Sequence, residues 1–221
     1  MTLSHRSQRF PWAWTAALGL ALCSAALMAA EPVRYQAQPG GPSVIRLDGS
    51  SSVGEWNVES KLIGGFMMLD ATFPEKPGEA VKMDPKVEVI IPVSALKSGK
   101  SAMDNVMYRT LKHEQNPRIT YKLTEMTLKE PAKETGGPMT FDTKGELTVA
   151  GVKKAVPMLV TVQPLAGDKL KVAGSTQLKM TEFGMDPPAP TLAFGLLKAS
   201  DDVKVTFEWV TEKKAKSPSA N

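Results

Sequence analysis

The chain has 221 residues, with 27 lysines and arginines against 23 aspartates and glutamates, 42% hydrophobic residues and only 6% aromatic ones. This length and composition fit one globular domain or two small ones and exclude wholesale disorder. A single cysteine excludes an internal disulfide and a cysteine-rich zinc site, and two histidines leave little room for a His₃ centre.

Residues 1–30 read as a secretory signal peptide. Arg6 and Arg9 give a basic start, and no acidic residue precedes Glu31. The apolar run from Thr15 to Ala30 covers 16 residues, shorter than the roughly 20 a membrane span needs. Small residues close it, which places cleavage near Ala29 or Ala30 and the mature chain in the periplasm. A rival reading takes Leu20-Ala21-Leu22-Cys23 as a lipoprotein signal anchored through Cys23, but Leu22 is large for that position and the apolar run continues past the cysteine. Cleavage removes two arginines and no acid, leaving 191 residues with 25 basic against 23 acidic side chains, no cysteine and one histidine, His113. A nearly neutral chain with no basic cluster is a poor nucleic-acid binder. Cysteine nucleophiles are excluded, and any Ser-His-Asp arrangement hangs on one imidazole.

Residues 31–43 hold three prolines and two glycines and read as an irregular lead-in. From Val44 the pattern is β. Val44 to Leu47 is short and β-branched, and Val53 to Glu59 and Leu62 to Phe73 follow. In the strand ending at Val93, Val87, Val89, Ile91 and Val93 share a face; Ile119, Tyr121 and Leu123 alternate with polar residues. Leu147 and Val149, then Met158, Val160 and Val162, then Leu170 to Met180, and last Val203, Val205, Phe207 and Trp209 keep the same period of two. Such alternation marks half-buried antiparallel strands, and eight or nine of them suggest a sandwich or a closed barrel.

One segment breaks the pattern. In Ser101 to Lys112, Met103, Val106, Met107 and Leu111 recur at three- and four-residue steps, which predicts an amphipathic helix with Ser101 and Asp104 as a capping-box-like start and Asn116-Pro117 as its stop. The helix either closes one barrel end as packing or gates a cavity mouth. Ala150-Gly151 and Gly167-Asp168 read as hairpin turns. Met180 to Ala199 holds three prolines among apolar residues and reads as a long loop of the kind that carries function. Residues 212–221 read as a polar, flexible tail.

Several stretches, in shared order, resemble the YceI-like family. They include Ser51-Ser52-Val53-Gly54-Glu55-Trp56, the run Val89-Ile90-Ile91-Pro92-Val93-Ser94-Ala95-Leu96-Lys97-Ser98-Gly99-Lys100, Asn116-Pro117-Arg118-Ile119-Thr120-Tyr121, Gly145-Glu146-Leu147-Thr148-Val149-Ala150-Gly151-Val152 and Met180-Thr181-Glu182-Phe183-Gly184-Met185-Asp186-Pro187-Pro188. The resemblance spans most of a domain placed at 44–211. It implies an all-β, lipocalin-like, eight-stranded antiparallel β-barrel with one short helix in the connection after the Val87–Val93 strand. It also implies a long-chain isoprenoid or fatty lipid as ligand, with a homodimer and an envelope membrane protein as candidate partners.

Trp56, Val89, Ile91, Tyr121, Leu123 and Phe207 are the candidate cavity-lining residues, and Met107, Leu111, Phe183, Met185 and Phe194 the candidate mouth or lid residues. The ten methionines beyond the leader serve either as core filling or as an adaptable lining. With no acid–base pair legible, the expectation is a non-catalytic binding or carrier protein without metal or cofactor. The alternative is a solid barrel whose Met180–Ala199 loop binds a protein partner or a second copy.

Overall fold

The computed structural model describes residues 31–38, 40–70, 73, 82–83, 85–189 and 198–214. Eleven strand segments form one antiparallel sheet: β1 (Val33–Ala37), β2 (Val44–Ser51), β3 (Gly54–Ser60), β4 (Gly64–Leu69), β5 (Lys82–Met83), β6 (Lys86–Pro92), β7 (Arg118–Glu130), β8 (Met139–Val149), β9 (Val152–Leu165), β10 (Lys169–Lys179) and β11 (Ala199–Lys213). One α-helix, α1 (Ser101–Thr110), lies in the connection from β6 to β7. The hydrogen-bonded order runs β1-β4-β6-β7-β8-β9-β10-β11, and β11 pairs back onto β1, so eight strands close a barrel.

Two positions in the ring are filled by broken strands. The long β11 pairs with β2 through Ala199–Glu208 and with β1 through Thr211–Lys213. Between them Val210 donates its backbone N–H to Ser43 Oγ at 3.0 Å, so the break leaves no orphan donor there. β3 and β4 are likewise two halves of one course, paired with β2 and β1 respectively.

Closure by β1 corrects the reading of residues 31–43. Val33–Ala37 form a five-residue strand within this proline- and glycine-rich stretch. Tyr35 and Ala37 turn into the core. The tail is corrected in the same way, because Glu212 and Lys213 belong to β11 and pair with β1.

Alternation decides which face is buried. Val87, Val89 and Ile91 on β6 and Val203 to Thr211 at odd positions on β11 turn inward, while their polar neighbours face out. Trp56 and Val58 share the inner face of β3, and Val53 is at the exposed tip of the β2–β3 hairpin. The β8–β9 hairpin turns through Ala150 and Gly151, both at positive φ (49° and 83°), the two-residue geometry that matches strand twist.

The two barrel ends differ. Tyr35, Leu69, Phe141, Val162, Leu170 and Trp209 pack into a solid core at the end where β1 closes the ring. At the other end lie α1, the β2–β3 and β8–β9 hairpins and the turn after β10.

The capping box at Ser101 and Asp104 does not form. Lys100 is the helix N-cap and makes no side-chain cap bond. The Asp104 carboxylate is buried and accepts instead from Ser98 N–H at 2.8 Å and Ser98 Oγ at 2.6 Å, tying the turn before the helix to its first turn. Ser98 comes three residues before Ser101 and its two donors outcompete the local cap.

Candidate functional site

The interior between the solid end and the helical end is open. It forms a cavity of about 730 Å³, within the range of about 300–1,000 Å³ for small-molecule sites. Its walls are almost wholly apolar, drawn from every course of the barrel and from α1. The expected alternative of a solid barrel is therefore corrected: the side chains do not fill it.

The floor is made by Leu69, Met126, Val162, Val172 and Trp209, all buried. The mouth lies where the lining residues reach solvent, at Val53, Gly54 and Glu55 of the β2–β3 hairpin, Lys100 and Ala102 at the start of α1, and Lys179 at the end of β10. Val53 is 70% exposed and is apolar surface set directly on the rim. Lys179 is held by Asp202 at 3.0 Å, and this pair accounts for its raised pKa.

Trp56, Val89, Ile91, Tyr121, Leu123 and Phe207 all line this cavity, as do Met107, Leu111, Phe183 and Met185. Phe194 lies outside the described residues. Phe183 and Met185 are 2% and 7% exposed, so neither offers apolar surface to a protein partner. A 3₁₀ turn, Met180–Phe183, ends at Gly184 with φ 63°, and folds both side chains inward. Asp201 secures that turn by accepting from Thr181 N–H at 2.8 Å and Thr181 Oγ1 at 2.7 Å, which holds its carboxyl below the ordinary range.

α1 forms one wall through Ala102, Met103, Val106, Met107 and Thr110, continued by Leu111 just past its end. Three pins hold it. Asp104 grips Ser98, as above. The Tyr108 hydroxyl donates to the carbonyls of Leu96 and Ser94, at 2.9 and 3.1 Å, and accepts from Lys97 Nζ at 2.6 Å. Lys112 Nζ donates to Gly184 O at 3.2 Å, joining the helix end to the turn after β10. His113 caps this end through its backbone N–H to Tyr108 O at 2.9 Å, and its ring lies 5.4 Å from the Tyr108 ring.

The few polar groups inside are committed or sealed. Thr143 Oγ1 donates to Met158 O at 2.9 Å. Burial pushes the Tyr121 phenol up to about 12, against an opposing pull from the neighbouring Thr143 hydroxyl. The Tyr121 oxygen is sealed and makes no regular hydrogen bond. Among the described residues no three His, Cys, Asp or Glu side chains converge as metal ligands, and no helix is long and apolar enough to cross a membrane.

Sequence reading missed several lining residues. Ile45, Leu47, Val58, Met67, Met126 and Met158 belong to the same wall. Their signal was present as alternation on strands already recognised, Met158 with Val160 for example. Seven described methionines line the cavity, namely Met67, Met103, Met107, Met126, Met158, Met180 and Met185.

A closed antiparallel barrel with an apolar interior open at one end is the architecture of a lipocalin-like binding protein. The YceI-like domain model matches residues 45–211, and the chain belongs to that family. Solved structures share the fold. A polyisoprenoid-binding domain from Saccharophagus degradans, implicated in plant cell wall breakdown, is 14% identical, with a TM-score of 0.62 over 81% of this chain and 98% of that one. BcnA from Burkholderia cenocepacia is 17% identical, with a TM-score of 0.57 over 76% of this chain and 95% of its own. The Campylobacter jejuni YceI protein is 17% identical, with a TM-score of 0.52 over 72% and 85%. No curated protein sequence matches the chain.

Proposed function

We propose that the mature chain is a non-catalytic periplasmic carrier that holds a long apolar lipid, a polyisoprenoid or a fatty chain, inside the barrel. The observation that carries this reading is the apolar cavity of about 730 Å³, whose charged and exposed lining residues, among those described, gather at the helical end. Family membership and the polyisoprenoid-binding neighbour support it.

The energetics are adequate. Each buried CH₂ contributes about 0.8 kcal/mol, so about twenty of them give roughly 16 kcal/mol, from which the costs of association and of ordering the chain are subtracted. No charged contact is required within the walls. A polar headgroup would stay at the rim, near Glu55, Lys100 and Lys179. Trp56, Val89, Ile91, Tyr121, Leu123 and Phe207 serve as chain contacts in this reading, with Met107, Leu111, Phe183 and Met185 closing over the upper part of the chain.

The leader motivates the periplasmic assignment. A carrier there must pass its load to a membrane or an envelope membrane protein, and a second copy of the chain is the other candidate partner. Native mass spectrometry of protein purified from the periplasm, with organic extraction in parallel, tests the whole proposal. A mature mass starting near Glu31 with a constant apolar adduct supports it. A lipidated mass starting at Cys23 would replace free carriage with anchoring. A clean apo mass, with no uptake of added prenols or fatty-chain lipids, would overturn carriage altogether.

A further inference from the structure

Three glycines face inward from the interiors of barrel strands, where glycine weakens a strand and marks a close approach. Each lies beside an aromatic residue on the neighbouring strand. Gly49 on β2 is directly opposite Trp56 on β3, and Gly174 on β10 is directly opposite Phe207 on β11. Gly145 on β8 lies diagonally from Tyr121 on β7, opposite Leu123. We propose that these glycine–aromatic pairs set the bore of the barrel, which makes Gly49, Gly145 and Gly174 the residues that determine which apolar chains it admits. This rests on the carrier reading and adds to it the feature that selects the ligand.

The geometry is specific. A Cβ on Gly49 would fall within 3.0 Å of Cζ2, Cε2 and Cη2 of Trp56. A Cβ on Gly145 would fall within 3.0 Å of Cζ, Oη and Cε2 of Tyr121. A Cβ on Gly174 would come within 3.0 Å of Cζ of Phe207. Each ring therefore occupies the space of the missing side chain and lies along the wall, instead of projecting toward the axis. The three aromatic residues line the cavity and the three glycines do not, so the rings cover them.

The pairs stand at β2/β3, β7/β8 and β10/β11, distributed around the barrel. An eight-stranded barrel is just wide enough to be filled by its own side chains. Three rings turned inward from three sides would fill it. Laid over glycine, they leave it open. Trp56 is also pinned in this pose by its Nε1–H, which donates to Ser50 O at 3.1 Å.

A methyl group at the glycine has one soft neighbour to displace, and the ring has one open direction, into the cavity. Gly49→Ala and Gly145→Ala are the informative variants, because the three atoms nearest the new Cβ all belong to the Trp56 or Tyr121 side chain and none to backbone. At Gly174 the Leu159 carbonyl would also be met, at 3.0 Å.

The test uses the mature protein and two probes, the fluorescent apolar ligand N-phenyl-1-naphthylamine and geranylgeraniol followed by native mass spectrometry. Each alanine variant should weaken geranylgeraniol uptake by about tenfold or more, a loss of at least about 1.4 kcal/mol. The double variants Gly49→Ala/Trp56→Leu and Gly145→Ala/Tyr121→Leu should regain uptake relative to their single parents. Folded alanine variants that bind both probes like the native protein would overturn the proposal, as would double variants that stay as impaired as the single ones. If the native protein takes up neither probe, the carrier reading fails. The bore assignment then stands or falls on crystal structures of the alanine variants. A ring swung into a smaller cavity supports it, and an unmoved ring refutes it. Should one alanine variant not fold, the other carries the same test from a different wall.

Discussion

Asp104 and Tyr121 illustrate two opposite ways of burying an ionisable side chain. The Asp104 carboxylate is stabilised by the Ser98 hydroxyl first and by the Ser98 N–H as well, which holds it below the usual carboxylate range. Hydrogen bonds to a charged group contribute about 1.5–3 kcal/mol, so Asp104→Asn should lower unfolding stability by about that much at neutral pH. A depressed carboxyl lends stability above its unfolded pKa and loses it as pH falls through the folded value. Urea unfolding of the native protein and Asp104→Asn should therefore converge in acid. Tyr121 is the reverse case. Its phenol is kept neutral by burial up to about 12, whereas the unfolded chain releases that proton from about pH 10. Stability should thus fall between those two values, and Tyr121→Phe should remove that part of the alkaline loss. At neutral pH the same variant should cost nothing measurable, because the hydroxyl it deletes is sealed without a regular partner. A loss above about 1 kcal/mol would show that the hydroxyl is bonded after all.

Among the elements, α1 bears most directly on ligand exchange. It supplies cavity wall, packs Met103, Met107 and Tyr108 against the core, and is tied to the neighbouring loops by side-chain pins. Tyr108→Phe removes the donor to Leu96 O and Ser94 O and the acceptor for Lys97. Amide hydrogen exchange over the helix should accelerate, and a bound prenol should leave faster, with little change at the solid end of the barrel. β6 tests the inward assignment itself. Ile91 is 7% exposed and lines the cavity, and an unpaired carboxylate there is costly. Ile91→Asp should either unfold the domain or abolish prenol uptake, measured by circular dichroism and native mass spectrometry. A stable variant with normal uptake would refute the face assignment. The β strands were legible as elements because period two is written in the side chains. The Ser98–Asp104 contact that replaces the expected capping box was not, because Ser98 lies outside the helical period.

For the molecule as a whole, an apolar cavity predicts a particular pattern of linkage. A ligand that binds only the folded barrel adds about 2.7 kcal/mol at one hundred times its dissociation constant, so the thermal midpoint should climb with prenol concentration. Screening weakens exposed charge contacts and leaves apolar burial intact. The affinity for an uncharged prenol should therefore change little between low and high salt. A steep salt dependence would place the dominant contacts at Lys100 and Lys179 on the rim rather than in the walls.

By itself the amino-acid sequence determined the antiparallel β class, the helix after β6, the hairpins at Ala150-Gly151 and Gly167-Asp168, and the inward faces carrying Val89, Tyr121 and Phe207. Each is a local property, set by side-chain period or turn chemistry within a few residues. Closure, hollowness and the placement of Phe183 and Met185 were decided only in the tertiary structure. Closure depends on β1 meeting β11 at Tyr35 and Lys213, from opposite ends of the domain. The cavity depends on which glycine faces which ring, and that is a matter of strand register. Phe183 and Met185 turn inward because Asp201, on the next strand, holds the Thr181 turn. Long-range pairing leaves no local period to read, so these features emerge only when the barrel closes.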